Sequence, residues 1–176
     1  MPLAVTKRGH QLLSFSPSDS PIPPLEEKHI DSAIECLAKY QNKFSIYPIF
    51  NKEQFEHQFL ENPIVHAYVI LNKEKDKVVD FMSYYDLNTI MKKEIVKAAY
   101  LYYYSANKIT LYDILKEMLR ITSNENYHLF NMLDLMENKE QEHSLMFLPG
   151  SGRLNYNLYN YKMVTLKKNQ IGLVFF

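Results

Sequence analysis

Cysteine, glycine and net charge are all scarce in this chain of 176 residues. The one cysteine, Cys36, cannot close an internal disulfide, and no paired Cys/His spacing supports a structural zinc, so a reducing, cytoplasmic setting is expected. Twenty basic and twenty acidic residues cancel. With no net field to recruit a polyanion or an anionic membrane surface, nucleic acid is not an expected partner, and neutral partners or small ligands fit better. No stretch approaches the ~20 consecutive apolar residues of a membrane span, and the N-terminus lacks the charged-then-apolar run of a signal peptide. Only four glycines are present, and three of them, Gly150, Gly152 and Gly172, lie near the C-terminal end. There is no G-x-G-x-x-G, P-loop, G-x-S-x-G or H-E-x-x-H, so a glycine cradle for phosphate and the common hydrolase and zinc-protease signatures are unsupported. The six histidines show no metal-ligand spacing and read as surface or locally satisfied residues.

What is present is 47% hydrophobic and 23% charged, with 14 tyrosines and 10 phenylalanines. These are globular proportions, and the length suits one domain over 1–176. Gln11 to Phe15 reads as an edge strand, and the Pro- and Ser-rich segment to residue 27 reads as a strap. Ile30, Ile34, Leu37 and Ala38 mark an amphipathic helix over Glu26 to Tyr40. Asn51, with Gln54 three residues on, caps a second short helix. Ile64 to Leu71, Val78 to Tyr85 and Ile95 to Tyr104 are β-branched and aromatic runs that predict three consecutive strands, the first two joined by a charged loop. A helix follows from Thr110, capped by its hydroxyl and boxed by Asp113. Tyr127 to Leu133 predicts a strand, Glu137 to His143 a short polar helix, and Leu154 to Val164 and Ile171 to Phe176 the closing strands. The sum is α+β, a mixed, mostly antiparallel twisted sheet flanked by helices. Tyr100, Tyr102, Tyr103 and Tyr104 read as cross-strand packing, with only alternate members able to face one site.

Four segments carry a resemblance. They are Asp80 to Tyr85 (D-F-M-S-Y-Y), Lys97 to Tyr100 (K-A-A-Y), Asn131 to Asn138 (N-M-L-D-L-M-E-N) and Gly150 to Tyr161 (G-S-G-R-L-N-Y-N-L-Y-N-Y), with Gly172-Leu173-Val174 before the end. Together they resemble the C-terminal half of eukaryotic glycylpeptide N-tetradecanoyltransferase, the N-myristoyltransferase family. Lys43 to Ile49 and Phe55-Glu56-His57 extend the likeness upstream. The resemblance implies an acyl-CoA N-acyltransferase-like fold and one half of a two-half enzyme. It also implies transfer of myristoyl from myristoyl-CoA, a co-substrate and not a resident cofactor, to proteins with an N-terminal glycine. The half that supplies most of the acyl-CoA site would come from a partner chain or further sequence; alternatively the chain is a non-catalytic peptide-binding or regulatory relic. An independent small acetyltransferase is a third reading, weakened by the absence of a glycine-rich loop after the third strand.

The resemblance assigns the general base to the α-carboxylate of the last residue, here Phe176. Apolar Ile171, Leu173, Val174 and Phe175 surround that end in the sequence. Tyr100, Asn88, Thr89, Ser151 and Leu154 fall at peptide-groove positions. Ser151 stands where the family usually has an Asp that attracts basic side chains of the peptide, and Leu87 to Met91 is one residue shorter than the family's L-P-S-T-I-M. Read on its own, Gly150-Ser151-Gly152 predicts a tight turn using positive φ at glycine. Asp134 and Asn138 are expected to satisfy backbone groups at a strand end and a helix cap.

Overall fold

The computed structural model describes residues 2–6, 22–74, 76–91 and 94–175. Phe176 and the expected strand Gln11 to Phe15 therefore lie outside the described residues. Eight strands are present among them: β1 (Pro2–Thr6), β2 (Val65–Leu71), β3 (Val78–Asp86), β4 (Thr89–Met91), β5 (Glu94–Val96), β6 (Ala98–Ser105), β7 (Leu129–Leu133) and β8 (Leu148–Pro149). Six form one sheet in the order β2-β3-β6-β7-β1-β8, and β4 pairs with β5 as a separate hairpin. Only β6 and β7 are parallel; the other pairs are antiparallel. The parallel pair needs a crossover, supplied by α3 (Leu111–Asn124).

Helix α1 (Ile30–Gln41) buries Ile30, Ala33, Leu37 and Tyr40, a stripe at helical spacing, against the sheet. Helix α2 (Lys52–Glu56) begins at Asn51, whose side chain accepts the Gln54 N–H at 2.8 Å while the Gln54 side chain accepts the Asn51 N–H at 3.1 Å. This is the predicted box. The helix continues as a π turn over His57–Glu61, and Phe55 of the helix (tilted) and Phe59 of the turn (edge-on) meet the Phe81 ring with centroids 5.6 and 5.2 Å away. Thr110 caps α3 as expected, but Asp113 accepts the Thr110 hydroxyl at 2.6 Å in place of the backbone N–H of a full box. At its other end α3 stops in a Schellman turn. Asn126 takes φ 62°, Tyr127 N–H reaches Thr122 C=O and Asn126 N–H reaches Ser123 C=O. That turn sends Tyr127 back to the sheet, where its hydroxyl donates to Asp86.

Several expectations are corrected. The third predicted strand is two elements, because Ile95 and Val96 belong to the β4–β5 hairpin and β6 starts only at Ala98. Leu154 to Val164 forms no strand, and residues 171–175 have one isolated parallel bridge, Ile46 with Ile171. Strand propensity describes side chains, whereas a ladder needs a free edge, and β8 offers only two residues. No described glycine has positive φ, so Gly150-Ser151-Gly152 is not the glycine turn expected. β1 is a strand that the pattern alone did not reveal. Among the described residues no helix is long and apolar enough to cross a membrane.

Candidate functional site

The segments behind the resemblance act first as scaffold. In β3, Asp80 is fully buried, and its carboxylate accepts the backbone N–H groups of Asn107, Lys108 (3.0 Å) and Ile109 (2.9 Å). Three successive N–H groups just before a helix start make an anion site. Here the chain's own carboxylate fills it. Asn138 donates to Leu133 C=O at 2.8 Å and accepts the Tyr104 hydroxyl at 2.8 Å, as expected of a backbone-satisfying residue. Asp134 does not cap; it pairs with Lys168 at 2.6 Å. Glu137 accepts Tyr40 at 2.5 Å and Lys43 at 2.6 Å. Burial pushes its carboxyl up, but these donors outweigh burial and leave it below the usual range.

A row of tyrosines leads from the sheet to the chain end. Tyr85 stacks on Tyr100 at 5.3 Å and meets the edge of Tyr102 at 5.6 Å. Tyr102 and Tyr103 are both buried, with centroids 4.5 Å apart, although neighbours on a regular strand face opposite ways. A bulge explains it: the β3–β6 register pairs Met82 with Tyr104 and then Tyr84 with Leu101, leaving Ser83 opposite two residues. The tyrosine ladder therefore does not alternate as expected. Burial pushes the hydroxyls of Tyr85 and Tyr103 up to about 12, so both stay neutral at ordinary pH.

These rings meet the last described residues. Gly172 N–H donates to Ile46 C=O at 2.8 Å. The Tyr156 hydroxyl donates to Leu173 C=O at 2.9 Å, and the Tyr156 ring stacks on Phe175 at 5.4 Å. The Tyr103 hydroxyl holds Val174 at both its main-chain groups. Gly172 fits because it has no side chain: a Cβ there would lie 2.6 Å from Cδ2 of Phe44. Gly172→Ala is expected to displace that ring and lower stability by about 1–3 kcal/mol, read from thermal unfolding. An unchanged midpoint would contradict the close fit.

An open cleft of about 560 Å³ runs alongside, lined by Leu154, Tyr156, Tyr161, Leu173 and Phe175 among others. Of the expected groove residues, Leu154 lines the cleft. Tyr100 does not line it; it stacks on Tyr85 in the sheet. Asn88, Thr89 and Ser151 are exposed and do not line it; Thr89 pairs with Val96 in the hairpin. Sequence reasoning missed Ser83, Phe44, Tyr103 and Tyr156. No group of His, Cys, Asp and Glu among the described residues is arranged to hold a metal ion. Apolar surface is extensive near the cleft, with Tyr159 91% and Val164 77% exposed.

The family model of the myristoyl-CoA:protein N-myristoyltransferase C-terminal domain matches residues 9–174. A probable glycylpeptide N-tetradecanoyltransferase of Caenorhabditis elegans is 33% identical over 156 residues, 85% of this chain and 34% of that protein. The Drosophila melanogaster glycylpeptide N-tetradecanoyltransferase is 34% identical over 84% of this chain and 32% of its own length. The chain thus spans about a third of these relatives. Among solved structures, Saccharomyces cerevisiae N-myristoyltransferase with bound myristoyl-CoA superposes with a TM-score of 0.67 at 25% identity, covering 80% of this chain and 40% of that one. A Trypanosoma brucei acetyltransferase shares the fold at a TM-score of 0.59 and 10% identity. The chain belongs to the N-myristoyltransferase family, within which it matches the C-terminal domain.

Proposed function

We propose that the chain supplies the peptide groove and the base for transfer of a myristoyl group from myristoyl-CoA to an N-terminal glycine, with the acyl-CoA site contributed by a second half. The observation that carries this reading is the main chain held at Gly172, Leu173 and Val174 beside an open, apolar cleft. An ammonium has no lone pair for attack on a thioester carbonyl, so the glycine amine must lose a proton. The Phe176 α-carboxylate, two residues beyond Val174, is the proposed acceptor. With a carboxylate near ~3.5 and an α-amine near ~7.8, that transfer in water is uphill by about 6 kcal/mol. Burial raises a carboxylate and lowers an amine, so a dry pocket closed by the second half would narrow the gap.

Leu154 is the proposed groove wall, and Tyr100, Asn88, Thr89 and Ser151 are proposed as peptide contacts beyond the cleft. The self-filled anion site at Asp80 supports placing the coenzyme phosphates elsewhere. The exposed apolar side chains along residues 154–164 and on the hairpin at Ile90 and Ile95 suit burial against that second half. A complementation assay tests the proposal: this chain and a separately produced acyl-CoA-binding half of a relative are each expected to be inactive, and their mixture to acylate a glycine-first peptide. An inactive mixture whose components bind each other would leave the non-catalytic peptide-binding reading.

Ser151→Asp gives a narrower check on the groove. In the active mixture it is expected to favour peptides with downstream Lys over neutral ones by about 1 kcal/mol in kcat/KM, as for a partly exposed ion pair. Equal ratios for both peptides would remove Ser151 from the groove.

A further inference from the structure

We infer that Tyr103 is a positioning residue for the chain end, and that Ser83 places it there. The inference rests on the proposed role of the Phe176 carboxylate for its catalytic consequence, but its structural part stands on described atoms alone.

The bulge is the starting point. Between the pairs Met82–Tyr104 and Tyr84–Leu101, the β6 segment has two residues where β3 has one. Two consecutive backbone groups of a buried strand would then lose their partners, an arrangement buried polar groups do not tolerate. The Ser83 side chain replaces the missing ladder: its Oγ donates to Tyr103 C=O at 2.8 Å and accepts Tyr103 N–H at 3.0 Å. A serine hydroxyl has one proton and two lone pairs, so it can serve both groups at once. The main chain at Tyr103 is thereby fixed although it has left the regular register.

Tyr103 repeats the device one step further out. Its hydroxyl donates to Val174 C=O at 3.0 Å and accepts Val174 N–H at 3.0 Å, so a residue in no strand is held at both of its backbone groups. The ring itself is fenced by the edges of Phe50 at 5.7 Å and Phe59 at 6.1 Å and by the tilted ring of Tyr102. The Val174 side chain is buried. Gly172 against Phe44 and the Tyr156 bond to Leu173 hold the two preceding residues. Among the described residues Val174 is therefore the last position clamped at both main-chain groups, and the two residues of chain that follow it span at most about 7 Å. Any slack at Val174 becomes slack at the carboxylate, and a misplacement of about 1 Å in a reacting group can lower the rate ~100-fold.

A tyrosine that merely fills the core gives different results from one that sets the chain end. Tyr103→Phe keeps the ring and removes only the hydroxyl. In the full chain, the Val174 amide is expected to exchange with solvent at least about tenfold faster in this variant, while amides of α1 and β2 keep their rates. In the complementing mixture, kcat is expected to fall ~10- to 100-fold with KM for peptide unchanged, because the groove walls are intact. In a chain already extended by one residue beyond Phe176, the same substitution is expected to remove nothing more. Ser83→Ala is expected to reproduce the faster Val174 exchange without touching the Tyr103 ring. Unchanged exchange at Val174 in Tyr103→Phe would overturn the inference outright. Faster exchange with full kcat, in a system where the one-residue extension is inactive, would overturn the catalytic link and leave the carboxylate reading standing. Full activity of the extended chain would overturn both.

Discussion

One residue added after Phe176 is expected to abolish most acyl transfer while the fold persists. Each residue advances the chain by about 3.5 Å, so the extension would carry the proposed base out of reach of the amine, and removing Phe176 would retract it by the same distance. The clamp at Val174 prevents the chain from sliding to compensate. Loss of a general base lowers kcat by ~100- to 10,000-fold, and both length variants are expected in that range. Phe176→Leu leaves the carboxylate in place and should keep much of the activity. Single-turnover acyl transfer in the complementing mixture reads the effect, with circular dichroism as the check on folding. A C-terminally tagged chain with full activity would end the role proposed for the terminus.

Removing the Asp80 carboxylate is expected to produce the largest loss of stability. The residue is fully buried, and three backbone N–H groups depend on its two oxygens. Asp80→Ala leaves these half-buried groups with no protein acceptor, and each costs about 1 kcal/mol, the low end of the range for an unsatisfied buried donor. A total of about 3 kcal/mol or more is expected, with Asp80→Asn losing less because one oxygen remains. Urea unfolding midpoints give the comparison. The alanine variant should also regain stability as inorganic phosphate is added, since the vacated N–H groups then accept an external anion. A loss under about 1 kcal/mol would show that water satisfies the turn and that the carboxylate is dispensable.

Local signals in the sequence identify the helices. Asn51 with Gln54, Thr110 at the start of α3 and the apolar stripe of α1 are each decided within a dozen residues, and the structure has them in place. Long-range pairing is less legible. β1 pairs with β7 across more than a hundred residues, and a five-residue segment carries no mark of such a partner. Leu154 to Val164 shows the opposite failure, a segment rich in strand-forming side chains that meets no ladder. At the site, Leu154 came from the resemblance and lines the cleft, whereas Tyr100 does not line it. The Ser83–Tyr103–Val174 chain stayed hidden because it depends on one extra residue in β6. The unbroken apolar run Leu101-Tyr102-Tyr103-Tyr104, which no half-buried strand requires, was its only trace.

The proposed division of labour between two halves is tested most directly by calorimetric titration of a non-hydrolysable myristoyl-CoA analogue into this chain alone. The account predicts binding far weaker than that of a complete two-half enzyme, with tight binding appearing only when the second half is present. Tight binding by the chain alone would place the acyl-CoA site within these residues and contradict the account.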